Sequence, residues 1–189
     1  MNEIALLGLE LDKLKSVYRK SYITDGSRNE NSAEHSWHLA VALMGYSSLI
    51  PADVDINKCI QMALCHDICE IGAGDVCAYH DTSGKYEQEF EYMDEFRSRF
   101  PTFGNNAKEL WEEYEAGVTT ESQWVKVFDK LLPFLLNIAS EGRTWMEQDI
   151  TRSMVVKHNA FIGDVAPELL KWMYVEIDKA VNAGWLDPA

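Results

Sequence analysis

The sequence lacks the segments that direct a protein to a membrane or anchor it there. Its first residues, MNEIALLGLELDKLK, contain neither a basic start nor a long apolar core, so no signal peptide is expected. No apolar run approaches the roughly 20 residues that a membrane-spanning helix needs. The sequence therefore predicts a protein that does not associate with membranes.

Cysteines are few and lie close together. The four of them, Cys59, Cys65, Cys69 and Cys77, form no CxxC pair and cluster in one predicted helix and its exit. Disulfides are not expected in a chain with this much apolar core, and the cysteine usage favours a cytoplasmic location. Zinc coordination by Cys65 and Cys69 is an alternative, but two small core thiols are the simpler interpretation.

Basic residues are also scarce. Seventeen lysines and arginines stand against 31 aspartates and glutamates, which gives a formal net charge of −14 and a pI near 4.7. Such a surface repels nucleic-acid backbones, so no nucleic-acid polymer is expected as a partner. Residues 13–28 are an exception, because they hold five basic residues and one acid, Asp25. This stretch suits a small anionic substrate.

No segment shows convincing strand alternation, and the apolar spacing is helical throughout. The fold class predicted is therefore all-α. With 189 residues, 47% of them hydrophobic, the chain suffices for one compact domain over residues 1–189, and two full domains are not expected. The predicted helices cover about 3–20, 32–48, 55–71, 84–100, 104–116, a segment opening at residue 120, 149–162 and 167–182.

Several helix boundaries carry capping signals. Asn31 with Glu34 resembles a capping box, and Thr120 with Gln123 resembles a second one. Either Asp55 or Asn57 is expected to open the third helix. Pro133 lacks a backbone N–H and is expected to kink the helix that contains it.

Histidine and aspartate occur inside apolar runs at two places. His66 and Asp67 lie in MALCHDI, residues 62–68, and Asp129 lies in VKVFDKLLPFLLNI, residues 125–138. An unpaired buried carboxylate is costly, whereas a bound divalent ion would satisfy these residues together with His35. Imidazole and carboxylate suit Mn, Fe, Co, Ni or Zn.

Two further carboxylates accompany this set. Glu70 lies four residues after His66 and three after Asp67, so it is expected on the same helix face, where it can act on a metal-bound water. Asp75 follows a glycine break and can return to the same cleft. Because His35 and Asp129 come from other helices, the ion would join three helices.

Each of these residues alone also has an ordinary structural explanation. Asp67 and Glu70 could form a solvated helix face, and Asp129 could pair with Lys126 or Lys130. His38 and His80 are better explained as supporting or surface groups than as ligands. Taken together, these residues favour a metal site over a solvated helix face, because the apolar residues just before His66 leave little of that face exposed to water.

The order His35, His66–Asp67 and Asp129 resembles the H…HD…D signature of the HD-domain metal-dependent phosphohydrolases. The flanking segments resemble the bacterial 5'-deoxynucleotidases and their eukaryotic relatives: ENSAEHSWHLA at 30–40, ALCHDICEIGAGDV at 63–76 and VKVFDKLLPFL at 125–135. The resemblance covers roughly residues 10–140, with the core motifs within 30–140. It implies a compact multi-helix HD-domain (PDEase-like) fold.

The resemblance also implies roles for single residues. His35, His66, Asp67 and Asp129 would hold one divalent ion (Mn, Co, Fe, Ni, Zn or Mg), and Glu70 and Asp75 would be catalytic. Substrate contacts are expected from an N-terminal arginine and its neighbour, here Arg19 and Lys20. Arg28 is a second candidate for the phosphate, because a guanidinium fork fits it. Trp37 is a candidate for the base pocket, with core packing as its ordinary explanation.

The predicted function is metal-dependent hydrolysis of a phosphomonoester, as in a 5'-nucleotidase acting on (deoxy)nucleoside 5'-monophosphates. The ion would activate water, Glu70 would accept its proton, and Asp75 would orient water or protonate the leaving oxygen. Another HD-type activity on triphosphates or phosphodiesters is one alternative. A non-catalytic helical adaptor pinned by its metal is the other. Relatives in the family are commonly dimers, so a homodimer is expected, with Trp172, Tyr174 and Trp185 as aromatic candidates for the interface.

Overall fold

The computed structural model describes residues 2–79 and 83–189, and His80 lies outside these ranges. The all-α prediction is confirmed, since helices are the main regular structure of the described residues and the one sheet has only two short strands. The helices are α1 Glu3–Asp12, α2 Ser32–Gly45, α3 Ile56–Cys65, α4 Glu70–Ala73, α5 Lys85–Arg99, α6 Pro101–Ala116, α7 Thr120–Ala139, α8 Arg143–Glu147, α9 Arg152–Asn159, α10 Ile162–Val165 and α11 Pro167–Ala183. Single 3-10 turns, Lys13–Ser16 and Ser47–Leu49, follow α1 and α2.

A β-hairpin replaces the end of the first predicted helix. Strand β1 (Tyr18–Tyr22) pairs antiparallel with β2 (Asn29–Asn31), so the prediction of a helix up to residue 20 was wrong. Val17 fits the helical spacing but adopts an extended backbone, and Gly26 has a positive φ of 68° in the connecting turn. The hairpin places Arg19 and Glu30 on neighbouring strands just before α2.

The third predicted helix is divided. Asp55 caps α3 as expected, but α3 ends at Cys65, and tight i to i−3 backbone bonds connect it to α4. The continuous helix predicted to residue 71 was therefore wrong. Gly74, with φ 75° and ψ 163°, then turns the chain in a conformation that disfavours other residues. His66, Asp67 and Asp75 all lie in this irregular stretch.

Two of the capping predictions had different outcomes. The capping box of α2 is confirmed, because the Asn31 side chain accepts from the Glu34 N–H at 3.0 Å and the Glu34 carboxylate accepts from the Asn31 N–H at 3.2 Å. The cap of α7 is Thr119, so the prediction of Thr120 was wrong by one residue. The Thr119 hydroxyl also donates to Glu113 at 2.6 Å, a contact with α6 that sequence does not reveal. Helix α7 runs on through Pro133.

The hydrophobic core extends from α2 to the segment after α11 and is rich in fully buried aromatic rings, including Phe96, Trp111 and Trp145. Within it, α2, α3 and α7 pack against one another, and α7 also contacts β1. In the part of the chain that the structure describes, no helix is both long and apolar enough to cross a bilayer.

Candidate metal centre

Three packed helices bring the predicted ligands together. His35 lies in the first turns of α2, His66 directly follows α3, and Asp129 lies midway along α7. His35 Nε2 is 2.8 Å from Asp129 Oδ1, and His66 Nε2 is 3.1 Å from Asp67 Oδ1 and 3.7 Å from Asp129 Oδ1. The two imidazoles and Asp67 are buried. Donor atoms of His35, His66 and Asp67 all lie within 4.8 Å of one another.

The hydrogen bonding of His66 leaves its Nε2 available to bind a metal. Its Nδ1 lies 2.8 Å from the Ala63 carbonyl oxygen, so Nδ1 carries the hydrogen and donates it. In a neutral ring the lone pair is then on the buried Nε2, which faces oxygens of Asp67 and Asp129. A positive centre is needed between this nitrogen and the carboxylate oxygens. A proton can supply it, since burial is outweighed by the carboxylates, which raise the pKa of His66 and raise that of His35 to about 9, and a divalent metal suits the same set of donor atoms.

Glu30 lies beside the imidazole of His35, a role that the sequence did not predict. This buried carboxylate on β2 lies 3.5 Å from His35 Nδ1 and 3.7 Å from Arg19 Nε. Burial alone would raise the pKa of Glu30, but contacts with His35 and His38 lower that pKa to about 2. An acid in a polar loop gives no sequence signal for this role, because strand pairing places it here.

The Asp129 carboxylate is fixed by two different partners. Tyr114 of α6 donates its hydroxyl to Oδ2 at 2.8 Å, which leaves Oδ1 facing the imidazoles. Burial opposes ionisation, yet the two histidines hold the pKa of Asp129 well below its usual range. In the described part of the chain no lysine lies within 4.0 Å of this carboxylate, so the alternative pairing with Lys126 or Lys130 is not formed.

Arg19 lies at the edge of the cluster. Its Nη1 is 2.9 Å from Asp67 Oδ2 and 3.8 Å from Asp75 Oδ1. Burial alone would lower the pKa of Arg19, but the surrounding carboxylates outweigh burial and raise this pKa above its ordinary value. The predicted phosphate ligand is thus already oriented by the acids around it, with its side chain only 14% exposed.

Glu70 and Asp75 face the same cleft. Ser32 donates its hydroxyl to Glu70 Oε2 at 2.6 Å. Burial and the nearby charge of Asp67 raise the pKa of Glu70 to about 8. Burial also raises the pKa of Asp75, although Arg19 opposes that shift. The charge of Asp67 in the cluster therefore acts on both predicted catalytic carboxylates.

A cavity of about 230 Å³ opens at the cluster. Its walls include three of the predicted metal ligands, His66, Asp67 and Asp129. The predicted catalytic residues Glu70 and Asp75 and the predicted substrate contacts Arg19 and Lys20 line it as well. The remaining polar lining comes from residues that were not predicted, among them Lys85, Glu89, Tyr114, Lys126, Lys130, Asn137, Thr144 and His158.

The structure does not bring Arg28 or Trp37 to this cavity. The Arg28 guanidinium forms a forked pair with Glu34, at 2.8 and 2.7 Å, because the capping box holds Glu34 beside it. Trp37 is 63% exposed, since residues two apart on a helix point about 200° apart and His35 faces inward. Both side chains line a separate shallow groove with His38, so the structure places them outside this cavity, and their substrate contacts stay a prediction.

The cysteines form no second metal site among the described residues. All four are free, and Cys59, Cys65 and Cys69 are buried. Burial raises the pKa of Cys65 to about 11, which keeps its thiol protonated. The metal-compatible cluster found in residues 2–79 and 83–189 contains histidine and aspartate only.

Comparison with known proteins gives concordant matches. The profile of the HD domain family matches residues 11–170. The 5'-deoxynucleotidase HDDC2 of Bos taurus is 29% identical over 124 residues, and the Homo sapiens protein of that name is 30% identical over 124 residues; each alignment covers 62% of this chain and 58% of the relative. The chain thus spans somewhat over half the length of these relatives.

Solved structures agree. A crystal structure of a predicted metal-dependent phosphohydrolase from Magnetospirillum magnetotacticum MS-1 superposes with a TM-score of 0.92 at 35% identity, covering 98% of this chain and 95% of that one. A conserved hypothetical protein from Pyrococcus furiosus shares the fold, with a TM-score of 0.59 at 24% identity over 89% of this chain and 97% of that one.

Proposed function

The chain belongs to the HD domain family, and from this premise we propose that it is a metal-dependent phosphohydrolase that releases phosphate from (deoxy)nucleoside 5'-monophosphates. The relatives named 5'-deoxynucleotidase and the solved relative named metal-dependent phosphohydrolase support this reaction class. Arg19 and Lys20 in the cavity support a small anionic substrate.

One observation carries the proposal: the acceptor atoms of His66, Asp67 and Asp129 converge at the wall of an open cavity. A structural ion is enclosed by protein on all sides, whereas a catalytic ion keeps a position open for water or substrate. The open wall therefore favours the enzyme over the helical adaptor. The donor set admits Mn, Co, Fe, Ni, Zn or Mg, and we propose one ion per chain.

The proposed chemistry divides among the residues of the cleft. A divalent ion held by His35, His66, Asp67 and Asp129 would supply Lewis acidity toward water and phosphate oxygen. The charge of a bound ion would favour the ionised form of Glu70, and this carboxylate, held on one oxygen by Ser32, could then accept a water proton with the other.

The remaining two groups act on the phosphate side. Asp75 would orient the water or return a proton to the leaving 5'-oxygen. Arg19, oriented by Asp67 and Asp75, would place positive charge beside the phosphate.

A phosphate-release screen tests the function. Protein freed of metal by chelation is supplied separately with Mn, Co, Mg or Zn and offered nucleoside mono-, di- and triphosphates and a phosphodiester. We expect metal-dependent release from monophosphates, its loss in Asp67→Ala, and its retention in Asp53→Ala, a control at an exposed acid. Turnover of triphosphates or diesters alone would support the other HD-type activities. Ion binding without any turnover would support the adaptor.

We further propose a cytoplasmic homodimer built from one domain of residues 1–189. The free cysteines support the compartment. Exposed apolar side chains on one face of α2, Trp37, Val41 and Met44, support self-association, whereas Tyr174 and Trp185 pack against the core. Light scattering coupled to size-exclusion chromatography tests the dimer, with a monomer mass as the contrary result.

A further inference from the structure

The cavity has a second polar wall, formed by Lys130 of α7 and His158 of α9. The Lys130 ammonium lies 3.1 Å from His158 Nε2 and 3.3 Å from Nδ1, and 5.4 Å from the centre of the Phe161 ring. The Tyr79 ring packs on His158 with a centroid distance of 4.7 Å. These contacts keep both side chains at the cavity surface.

The Lys130 ammonium has no ion-pair partner in the described structure, although the charge of Asp129 favours it from a longer distance. No carboxylate of residues 2–79 or 83–189 lies within 4.0 Å of it, and the same is true of Lys126, which lies over the Tyr114 ring at 4.5 Å. Lys85, in the same cavity, is paired with Glu89 at 3.2 Å. In a chain with 31 acids and 17 bases, a partly buried lysine without an acid is unexpected.

Lys130 lies near the metal centre, because the charge of Asp129 acts on it and on His158, but its side chain contacts other residues. Although it follows Asp129, its contacts are His158 and Phe161 in the C-terminal part of the chain. Within residues 2–79 and 83–189 it forms no hydrogen bond with the residues of the metal cluster and no ion pair within 4.0 Å. The metal end of the cavity already has a cation of its own in Arg19.

We propose that Lys130 and His158 bind a second anionic group of the substrate, on the side away from the phosphate that is removed. The substrate class is then a phosphomonoester with another phosphate, such as a nucleoside 3',5'-bisphosphate. This inference rests on the proposed function and adds a specificity site to it. Burial and the neighbouring Lys130 charge lower the pKa of His158 to about 4, so a neutral ring accepts from the ammonium and orients it.

The test compares deoxyadenosine 5'-monophosphate with the matching 3',5'-bisphosphate as substrates of the full chain. The ratio of their kcat/KM values should favour the bisphosphate by about tenfold or more, as expected for a charge-assisted hydrogen bond. The ratio should fall to near one in Lys130→Met and His158→Ala, and should remain high in Lys130→Arg. Lys157→Met is the matched control, because that lysine is exposed on the same helix as His158. A pentose bisphosphate is included to distinguish nucleoside from sugar substrates.

Calorimetric binding of the same compounds provides a readout that needs no turnover. The second phosphate should tighten binding to the wild type and not to Lys130→Met. The second subsite would be overturned if the wild type bound the two nucleotides with equal affinity. It would also be overturned if Lys130→Met lost the same affinity for both nucleotides, even where hydrolysis is observed. A binding difference without hydrolysis of any compound would support the subsite and refute the nucleotidase proposal. Preference for the pentose bisphosphate would support the subsite and assign it to a sugar substrate.

Discussion

At the residue scale, the two imidazoles of the centre are held by different means. The backbone carbonyl of Ala63 holds Nδ1 of His66 at 2.8 Å, and the carboxylate of Glu30 lies 3.5 Å from Nδ1 of His35. Each partner favours the tautomer that presents Nε2 to the carboxylates of the cluster. Partners of this kind orient metal-binding histidines and make them more basic.

Replacing Glu30 by glutamine tests this role. The amide keeps the shape but removes the charge that orients His35, so affinity for the divalent ion should fall about 10- to 100-fold. Calorimetric titration of metal-free protein with Mn²⁺ or Co²⁺ measures it. Glu34→Gln is the matched control, because Glu34 is four residues away, pairs with exposed Arg28 and can keep its capping bond as glutamine. Equal affinity in Glu30→Gln and wild type would show that Glu30 is only a structural acid.

At the element scale, close contact between α5 and α6 depends on Gly104. A Cβ there would lie 2.6 Å from the Arg97 Cα, a backbone atom that cannot move aside. Gly104→Ala should therefore destabilise the fold by about 1–3 kcal/mol in urea unfolding. Gly8→Ala is the matched control in α1, where nothing lies within 4 Å of the new methyl group. That variant should gain up to about 1 kcal/mol from helix propensity. A stabilised Gly104→Ala would contradict the close packing.

Glu10 connects α1 to α5 and should make the fold sensitive to acid. Its carboxylate accepts from Lys13, Tyr92 and Arg99 at 3.0, 2.9 and 2.5 Å. Burial opposes ionisation, but these contacts lower the pKa of Glu10 below its ordinary 4.5. A lowered pKa contributes stability that is present above pH 4.5 and is lost as the pH falls through the folded value.

Glu10→Gln should cost about 1 kcal/mol at pH 7, and the difference from wild type should shrink below pH 4.5. Urea unfolding between pH 3 and 7 measures it. Glu109→Gln, at an exposed acid with no ion pair in the described structure, should match the wild type at every pH. A constant deficit of Glu10→Gln across this range would show that the pair contributes through packing and not through charge.

Elements with local signals were predictable from the sequence, and elements set by tertiary pairing were not. Asn31 and Asp55 cap helices as their side chains predict, because a cap needs only the next turn of backbone. Val17 fitted a helical stripe, yet pairing of the two strands overrode it. The division between α3 and α4 was also invisible, since Ile68 and Ile71 continue the apolar spacing through the irregular turns.

At the scale of the whole molecule, the candidate centre joins parts of the chain that are distant in sequence. His35, Asp67 and Asp129 come from α2, the turns after α3, and α7. The motif order therefore predicted which residues converge. It could not predict Glu30, Tyr114 or Lys130 as neighbours of the cleft, because their roles depend on how β2, α6 and α7 pack. That Arg28 and Trp37 lie outside this cavity was unpredictable for the same reason.

Removal of the ion should destabilise the whole fold. The carboxylates of Asp67, Asp75 and Asp129 would then face one another with Arg19 as the neighbouring arginine. A chelator should lower the Tm by about 5 °C or more, and excess Mn²⁺ should restore it. Differential scanning calorimetry measures the shift. Asp67→Ala should show no chelator effect, and an identical Tm with and without ion in the wild type would argue against a centre that joins three helices.

The most direct measurement is anomalous diffraction from crystals grown with Mn²⁺ or Co²⁺. We predict one strong peak per chain, about 2.0–2.3 Å from His35 Nε2, His66 Nε2 and carboxylate oxygens of Asp67 and Asp129, with a coordination position open to the cavity. A peak elsewhere, or saturating ion with no peak between these four side chains, would contradict the metal centre and the hydrolysis that depends on it.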